Sequence, residues 1–469
     1  MNYLPDSVER ERSLAEKVSR TSFFLYFLFV LVGTAPFQDT VTDVADVATS
    51  NPINQIVDSL IPFISILCLV PQRKKLFSLI RQEKYLTLFL VWCLATILWS
   101  DFPFNSFKLW VRLIGSTTVI LALFLNVKSP DEALKYLKTA LVFYIPISFL
   151  AIAFVPAATQ FEFPAWRGLA MHKNVLGQIS FISTFVWAFA VSVPSGKRKL
   201  GSWLFLFASL VLLLGSKSST SLIVLLSLLM MQFYLFIESR LRRLNIGRLV
   251  SLALLGCLFI LPFLFQAFEL DSTTGVFGKD ATFTGRTDLW VAILDEAKTH
   301  LLDGCGFGGF WIVENHKVLR LYEDDAFPWL PNEAHQGYLD ILNETGVIGL
   351  SLLALMIISY FKKLAQLKKP HFWKWFFIGI LLVNLTESTL FRSGSFSGWF
   401  FVFSYLALHV ELLQSRNHSG KHLGTPFRGV ERDDLAPQES RTVSTSTGRH
   451  YVPTVVRPGI GKMAVYPEG

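Results

Sequence analysis

"PNEAHQGYLDILNETGVIGLSLLALMIISYFKKLAQLKK", residues 331–369, opens as a polar loop with a histidine and runs into an apolar helix closed by two lysine pairs. An apolar run of this length can cross about 30 Å of hydrocarbon as a helix. Yet its first turns hold Asp340, Asn343 and Glu344, side chains that a bilayer penalises. The fold reading starts from the apolar half, and the functional reading starts from the polar half.

Similar apolar runs recur along most of the 469 residues. The chain is 52% hydrophobic and only 17% charged, whereas a soluble domain is nearer a quarter charged. Backbone groups in lipid must be satisfied within a segment, so the runs read as helices. The expected fold is an all-α, polytopic membrane helix bundle of about twelve transmembrane helices. The spans fall at 22–37, 53–70, 85–100, 109–126, 139–156, 175–194, 200–215, 221–237, 249–268, 336–360, 373–390 and 398–413. The pair at 200–215 and 221–237 is too long for one span, so a tight hairpin at "SKSST" is preferred.

Lys and Arg on the connections set the orientation. The N-terminal segment and the connections with "PQRKK", "KSPDEALKYLK", "GKRKL", "SRLRRLNIGR" and "KKLAQLKK" carry 24 basic residues. The opposite short loops carry six: Lys108, Arg112, Arg167, Lys173, Lys217 and Arg392. The richer side is read as cytoplasmic. This gives a cytoplasmic segment 1–21, helices one to nine over 22–268, one large extracytoplasmic loop at 269–335 and helices ten to twelve over 336–413. A cytoplasmic tail at 414–469, rich in Ser, Thr, Arg, Gly and Pro, lacks a core-forming pattern and is expected to be disordered. The net charge of +8 is an orientation signal, so no nucleic-acid partner is expected. The polar, mixed-charge start argues against a cleavable signal peptide. Cys68, Cys93 and Cys257 fall in spans and Cys305 alone lies in a loop, which excludes a disulfide framework.

The chemistry-bearing residues gather on the outer side. "RGLAMHKNVLG" supplies Arg167, His172, Lys173 and Asn174; "LGSKSSTSL" supplies Lys217; "FTGRTDLW" supplies Arg286; "LFRSGSFSG" supplies Arg392; and His335 ends the long loop. Each also has an ordinary reading, as an interfacial anchor or a hydrogen-bonded loop residue. The glycines of "GCGFGGF" fit tight turns better than a phosphate loop. Asp340, Asn343 and Glu344 share one helix face by their i, i+3, i+4 spacing. The alternatives are a water-filled vestibule or a helix start stabilised by acids, which suits Asp340 better than Glu344. A free helix N-terminus, a histidine and nearby cations together suit a phosphate-bearing substrate. No metal cluster or nucleotide loop is seen, so neither a metal nor a cofactor is expected.

These blocks resemble the Wzy-type polysaccharide polymerases and O-antigen ligases. His335, Gln336, Gly346 and Gly349 fit in register the family's signature of His, then Asn, Ser or Gln, nine residues, Gly, two residues, and Gly, Thr or Tyr. "HKNVLG", "GSKSSTSL" and "TGRTDLW" look like its other recurring blocks, and the set is most similar to exopolysaccharide polymerases of the rhizobial ExoQ kind. One departure is Lys217, where many relatives carry Arg; lysine keeps the charge but lacks the bidentate fork.

The resemblance implies a GT-C-like glycosyltransferase of the inner membrane, with its active site on the extracytoplasmic side. It would join undecaprenyl-diphosphate-linked oligosaccharide repeats, with a flippase and a chain-length regulator as further partners. His335 would be the base, and Arg286 and Arg167 would face the leaving diphosphate. Arg167, His172, Lys173, Asn174, Lys217, Asp340, Glu344 and Arg392 would bind substrate. A ligase acting on another acceptor, or a secondary transporter, are the alternatives.

Overall fold

The computed structural model describes residues 6–33, 52–127, 130–160, 165–192, 199–241, 283–312, 314–323, 331–367, 372–392 and 394–422. The expected ninth span at 249–268 and nearly all of the tail lie outside them. The chain divides into Met1–Gly420 and Lys421–Gly469, and the helical bundle belongs to the first unit.

Fourteen α-helices stand among the described residues: α1 Asp6–Val32, α2 Pro52–Leu69, α3 Arg73–Gln82, α4 Lys84–Thr96, α5 Pro103–Asn126, α6 Pro130–Phe154, α7 Lys173–Ser192, α8 Lys199–Gly215, α9 Ser219–Leu241, α10 Phe283–Thr299, α11 His316–Glu323, α12 Gly337–Leu364, α13 Phe372–Val383 and α14 Phe396–His422. Six helical stretches are long and apolar enough to cross a membrane, and four shorter apolar helices accompany them. The chain is therefore a multi-pass, helical membrane protein. The expected hairpin at "SKSST" is present, α8 and α9 being joined by three residues. One small departure from an all-helical chain is an antiparallel two-stranded ladder, β1 Thr159–Gln160 with β2 Ala165–Trp166.

The core centres on α14, buried at nearly every position from Phe396 to Leu412. A helix apolar all round has to be buried, and here aromatic rings do the packing. Trp399 lies 5.4 Å from Phe23 and 5.3 Å from Phe27 of α1, and Phe377 of α13 stacks on Tyr360 of α12 at 3.7 Å. One acid enters the bundle from α2. Asp58 is buried and accepts from Arg112 Nε at 2.7 Å and from the Tyr26 hydroxyl at 3.2 Å, so its charge is paired as lipid requires.

Two expected spans need correction. The eleventh was read as 373–390, but α13 ends at Val383. Asn384 stops it: its Nδ2 bonds back to Ile380 O, while its Oδ1 accepts from the Thr389 and Leu390 amides and the Thr389 hydroxyl. A single amide thereby folds 384–390 into a buried loop, which periodicity cannot register because the residues are mostly apolar or small.

The tenth was read as one helix from 336 to 360. α12 is instead broken at Gly346, at φ 67° and ψ −174°, a conformation essentially reserved for glycine. The open backbone ends are closed by the glycine-rich loop. Cys305 and Gly306 amides donate to the carbonyls of Asn343 and Glu344 at 2.9 and 3.0 Å, and the Val347 and Ile348 amides donate to the carbonyls of Leu301 and Leu302 at 2.8 and 3.2 Å. The Trp92 indole of α4 donates to Thr345 O at 2.8 Å. Gly304, Gly306 and Gly308 all have positive φ, so the run makes tight turns, as its sequence suggests. A Cβ on Gly304 would stand 2.4 Å from the Glu344 carbonyl carbon; the approach itself requires glycine.

The break gives α12 two environments. Before it, Leu339 and Leu342 join a small second core with Leu289, Ile293, Cys305, Phe310 and Val318. Beyond it, Val347, Ile348, Ser351 and Leu355 are exposed while Leu353, Met356 and Tyr360 join the main core. Residues 347–364 rise about 27 Å at 1.5 Å per residue, close to a bilayer's hydrocarbon thickness. The membrane-crossing part therefore begins at the break, and Asp340, Asn343 and Glu344 lie in a protein-wrapped helix before it.

Candidate active site

His335 occupies a left-handed conformation, φ 50°, at the entrance to α12. This is uncommon for a residue with a Cβ and is sustained only when neighbours over-determine it. Gln336 is the cap: its side-chain oxygen accepts from the Leu339 amide, and its own amide donates to Ser388 Oγ at 2.9 Å. The Gly337 amide is shared between the carbonyls of Asn384 and Glu387 at 3.0 and 3.1 Å. A Cβ on Gly337 would meet Asn384 Oδ1 at 2.2 Å, so glycine is required there. The "HQG" tripeptide is thus sewn to the buried loop after α13.

Three charged side chains surround the histidine. Its Nδ1 lies 2.8 Å from Glu333 Oε1, although the approach lacks hydrogen-bond alignment. The other Glu333 oxygen accepts from Arg392 Nη1 at 2.9 Å, and Arg392 Nη2 donates to Asn332 O at 2.5 Å. Glu387 approaches from the α13–α14 loop; it is buried, and its Oε1 accepts from Asn174 Nδ2 at 3.2 Å and from the Thr220 hydroxyl at 3.4 Å. Five sequence blocks meet here: the His335 loop, the Arg392 loop, Glu387, "HKN" at the start of α7 and "SST" at the start of α9.

Glu333, His335 and Glu387 each offer a ligand atom, all within 4.8 Å of one another. Both carboxylates are already hydrogen-bonded, Glu333 by Arg392 and Glu387 by Asn174 and Thr220. The set fits a charged hydrogen-bond network better than a metal centre.

The other expected site residues divide. Asn174 and Arg392 join the network. His172 accepts from the Asn174 amide through Nδ1 at 3.2 Å, fixing the entry to α7, and Lys173 opens that helix. Lys217 is exposed in the α8–α9 turn with φ 47°. Arg167 is buried, its guanidinium donating to the carbonyls of Ala157 and Met171; that arrangement holds a loop.

Asp340 and Glu344 do not face an open vestibule. Asp340 is buried and accepts from the Trp311 indole at 2.9 Å and the Ala334 amide at 3.3 Å, with Arg392 Nη1 at 3.9 Å. Glu344 Oε2 accepts from the Gly308 amide at 2.9 Å. The two acids fasten the loop to the helix through the Trp311 indole and the Ala334 and Gly308 amides.

Arg286 lies in the first turn of α10, described there by its backbone. Four residues on, the Trp290 indole donates to Ala334 O at 2.8 Å, so α10 is bonded to the residue before His335. Lys317 of α11 bridges Glu296 at 2.9 Å and Asp101 at 3.4 Å. Burial works to lower its pKa, but the two acids outweigh it and hold the ammonium above its ordinary value. Burial also pushes the Cys305 thiol up, making it an inert core residue. A narrow cleft lined by Tyr26, Ser116, Phe391, Arg392, Ser395 and Trp399 adjoins the network.

Two residues of the network, Glu333 and Glu387, were not singled out from sequence. Glu387 carried a signal, being an acid inside an apolar run read as a span, where ionisable groups mark function by default. Glu333 had none beyond standing two residues before His335.

Comparison with known proteins finds a family that these elements resemble. The O-antigen ligase profile matches residues 204–354, which include the α8–α9 hairpin, α10, the glycine-rich loop, His335 and the break at Gly346. Over that stretch, about a third of its length, the chain is similar to the O-antigen ligase family. Among its relatives is the exopolysaccharide production protein ExoQ of Rhizobium meliloti, 31% identical over 145 residues, 28% of this chain and 33% of that protein. The chain thus matches about a third of that relative's length. Longer matches reach provisional polysaccharide ligases of two rickettsiae. The Rickettsia prowazekii protein is 21% identical over 72% of this chain and 84% of its own. The Rickettsia felis protein is 24% identical over 68% and 79%. His335, Gln336 and Gly346, which carry the resemblance, are a capped helix start and a helix break in this chain.

Proposed function

We propose that this chain is a glycosyltransferase that joins undecaprenyl-diphosphate-linked oligosaccharide repeats into exopolysaccharide, working at the extracytoplasmic face of the inner membrane. The observation that carries the reading is the Glu333–His335–Arg392 unit at the entrance of α12, partly open where the neighbouring acids are closed off.

In this reading, the non-reducing-end hydroxyl of an incoming repeat attacks the anomeric carbon of the growing chain. The bond from that carbon to the lipid diphosphate breaks, and the diphosphate leaves with the electron pair. The hydroxyl proton passes to His335 Nε2, the nitrogen turned away from Glu333, as general-base catalysis requires. Glu333 orients the ring and stabilises the imidazolium that forms. Charge on the leaving diphosphate calls for fixed cations; Arg286 on α10 and Arg392 are the groups assigned. Asn174 and Glu387 hold sugar hydroxyls, and His172, Lys173 and Lys217 flank the approach. Arg167, Asp340 and Glu344 act through the loops they pin. The flippase and chain-length regulator of such a pathway are its expected partners.

The longer matches favour a second reading, a ligase that moves a finished glycan to another acceptor. The transporter reading is weakened by the break in α12. Transporters leave broken helix ends free for ions, whereas the ends at Gly346 are closed by the loop and Trp92.

The test is purified protein with lipid-diphosphate-linked repeats and no ion gradient. Polymerisation predicts a ladder of longer glycans; unchanged single repeats overturn it. A deletion strain that accumulates long unattached chains selects the ligase. Reporter fusions at about residues 300 and 440 should report opposite sides of the membrane, and a cytoplasmic signal at 300 would remove the extracytoplasmic site.

A further inference from the structure

The 269–335 segment, read from sequence as one large extracytoplasmic loop, carries a pair of exposed leucines. Leu301 and Leu302 follow α10 and are exposed, Leu302 by 68%. Their carbonyls accept from Val347 and Ile348, the first residues of the membrane-crossing half of α12, which are themselves exposed and apolar. Residues joined by a backbone ladder share the same depth.

Depth is fixed a second time from α4. Trp92 binds Thr345 O, and Trp99 binds Gly304 O at 3.0 Å. Trp92 lies seven residues before Trp99, so the break sits roughly 10 Å below the outer end of that helix. The same helix, with the 3₁₀ turn Ile97–Trp99 that continues it, presents an exposed apolar stripe of Leu88, Val91, Leu94 and Leu98, spaced as one face. Across the connection, α5 starts its own stripe with Phe104, Phe107 and Val111. Leu98 is 87% exposed and Phe104 82%.

A waterline borders the patch. Asp101 and Lys317 pair on one flank, and the exposed Asp295–Lys298 pair stands one turn back along α10. Trp99, part exposed with its indole nitrogen bonded, has the amphipathic character of an interfacial belt residue.

We propose that Leu301 and Leu302, with Leu98 and Phe104, form a wedge in the acyl region of the leaflet on the His335 side, so that the long loop re-enters the membrane. The occupant is lipid because the exposed apolar stripes of α4, α5 and α12 run into the patch. The turn can sit at that depth because the broken helix satisfies its carbonyls. The wedge also sets the height of α10, whose Trp290 holds the residue before His335. That last consequence rests on the proposed function; the wedge itself does not.

The test places a cysteine at Leu302, with Leu98→Cys as the lipid reference and Asp295→Cys as the water reference. Each is labelled with bimane in full-length protein reconstituted into phosphatidylethanolamine–phosphatidylglycerol vesicles. Label taken up by the parent protein is subtracted, Cys68, Cys93 and Cys305 being buried. The label at 302 should follow that at 98, losing most of its fluorescence to brominated acyl chains and little to aqueous iodide. Quenching by iodide as at 295 would overturn the wedge. Quenching by neither would also overturn it, showing that protein covers the patch. If Leu302→Cys does not fold, Leu301→Cys answers the same question. Glycan synthesis has no part in the readout, so failure of the proposed reaction and failure of the wedge are separate results.

Discussion

Two clusters of like composition stand at opposite ends of α12. At its start, His335, Glu333 and Arg392 have side chains 22%, 19% and 31% exposed. Near its end, His409, Glu83 and Lys363 are 3%, 3% and 16% exposed. In both, one glutamate bridges a histidine and a basic residue. The second cluster joins the α3–α4 turn to α12 and α14 and is sealed, Lys363 lying 5.3 Å over the Tyr405 ring. The first is assembled by loops and reaches a cleft. Composition alone does not separate a pin from a site; burial does, because a proton acceptor must meet its substrate while a pin must exclude water.

The largest effect expected from this contrast is at the open cluster. His335→Ala should reduce polymer formation about 10²- to 10⁴-fold, the usual loss on removing a general base, with protein level and melting temperature unchanged. Arg286→Ala should be comparably damaging, and Arg286→Lys should recover only part because lysine lacks the bidentate fork. Wild-type chain lengths from the purified His335→Ala protein would make the two clusters equivalent and return His335 to a structural role.

The sealed cluster should behave oppositely. Lys363→Met leaves the Glu83 charge buried without its ammonium, a change that typically costs about 3–5 kcal/mol of stability. Synthesis per folded molecule should hold. Burial raises the Glu83 pKa, but His409 and Lys363 override it and keep the carboxyl below its ordinary value of 4.5. A depressed carboxylate stabilises the fold above its unfolded pKa, and that stability is lost as pH falls through the folded one. Melting temperature should therefore fall below about pH 4.5 in the parent protein and less so in Glu83→Gln. A parallel acid loss in both would remove Glu83 from the account.

A smaller effect belongs to the break between the clusters. Gly346→Ala forces a side chain into a glycine-only conformation, about 1–3 kcal/mol, with a Cβ 2.2 Å from Leu302 O. Protease sensitivity of the 301–310 turn should rise. An unchanged digest would mean that α12 can straighten without the loop. The smallest effects should come from His300→Ala and His316→Ala, outward histidines without carboxylate partners among the described contacts; both should polymerise as the parent does.

Sequence by itself determined the solvent and the signature. Apolar runs of span length, low charge and Lys/Arg asymmetry are local quantities, so they could be read without a partner in space, as could the "HQG" block and the turn-forming glycines. Tertiary structure decided the rest. Gly346 looks like any helix glycine until the 301–306 turn is seen to close the backbone it opens. Asp340 and Glu344 look like vestibule residues until Trp311, Ala334 and Gly308 are found on them. Glu387 enters the network from an apolar run more than fifty residues beyond Glu333, because Asn384 ends α13 early and turns the chain back. Hydrogen bonds at that separation depend on which donors reach a carboxylate first, and that competition is settled only when the helices pack.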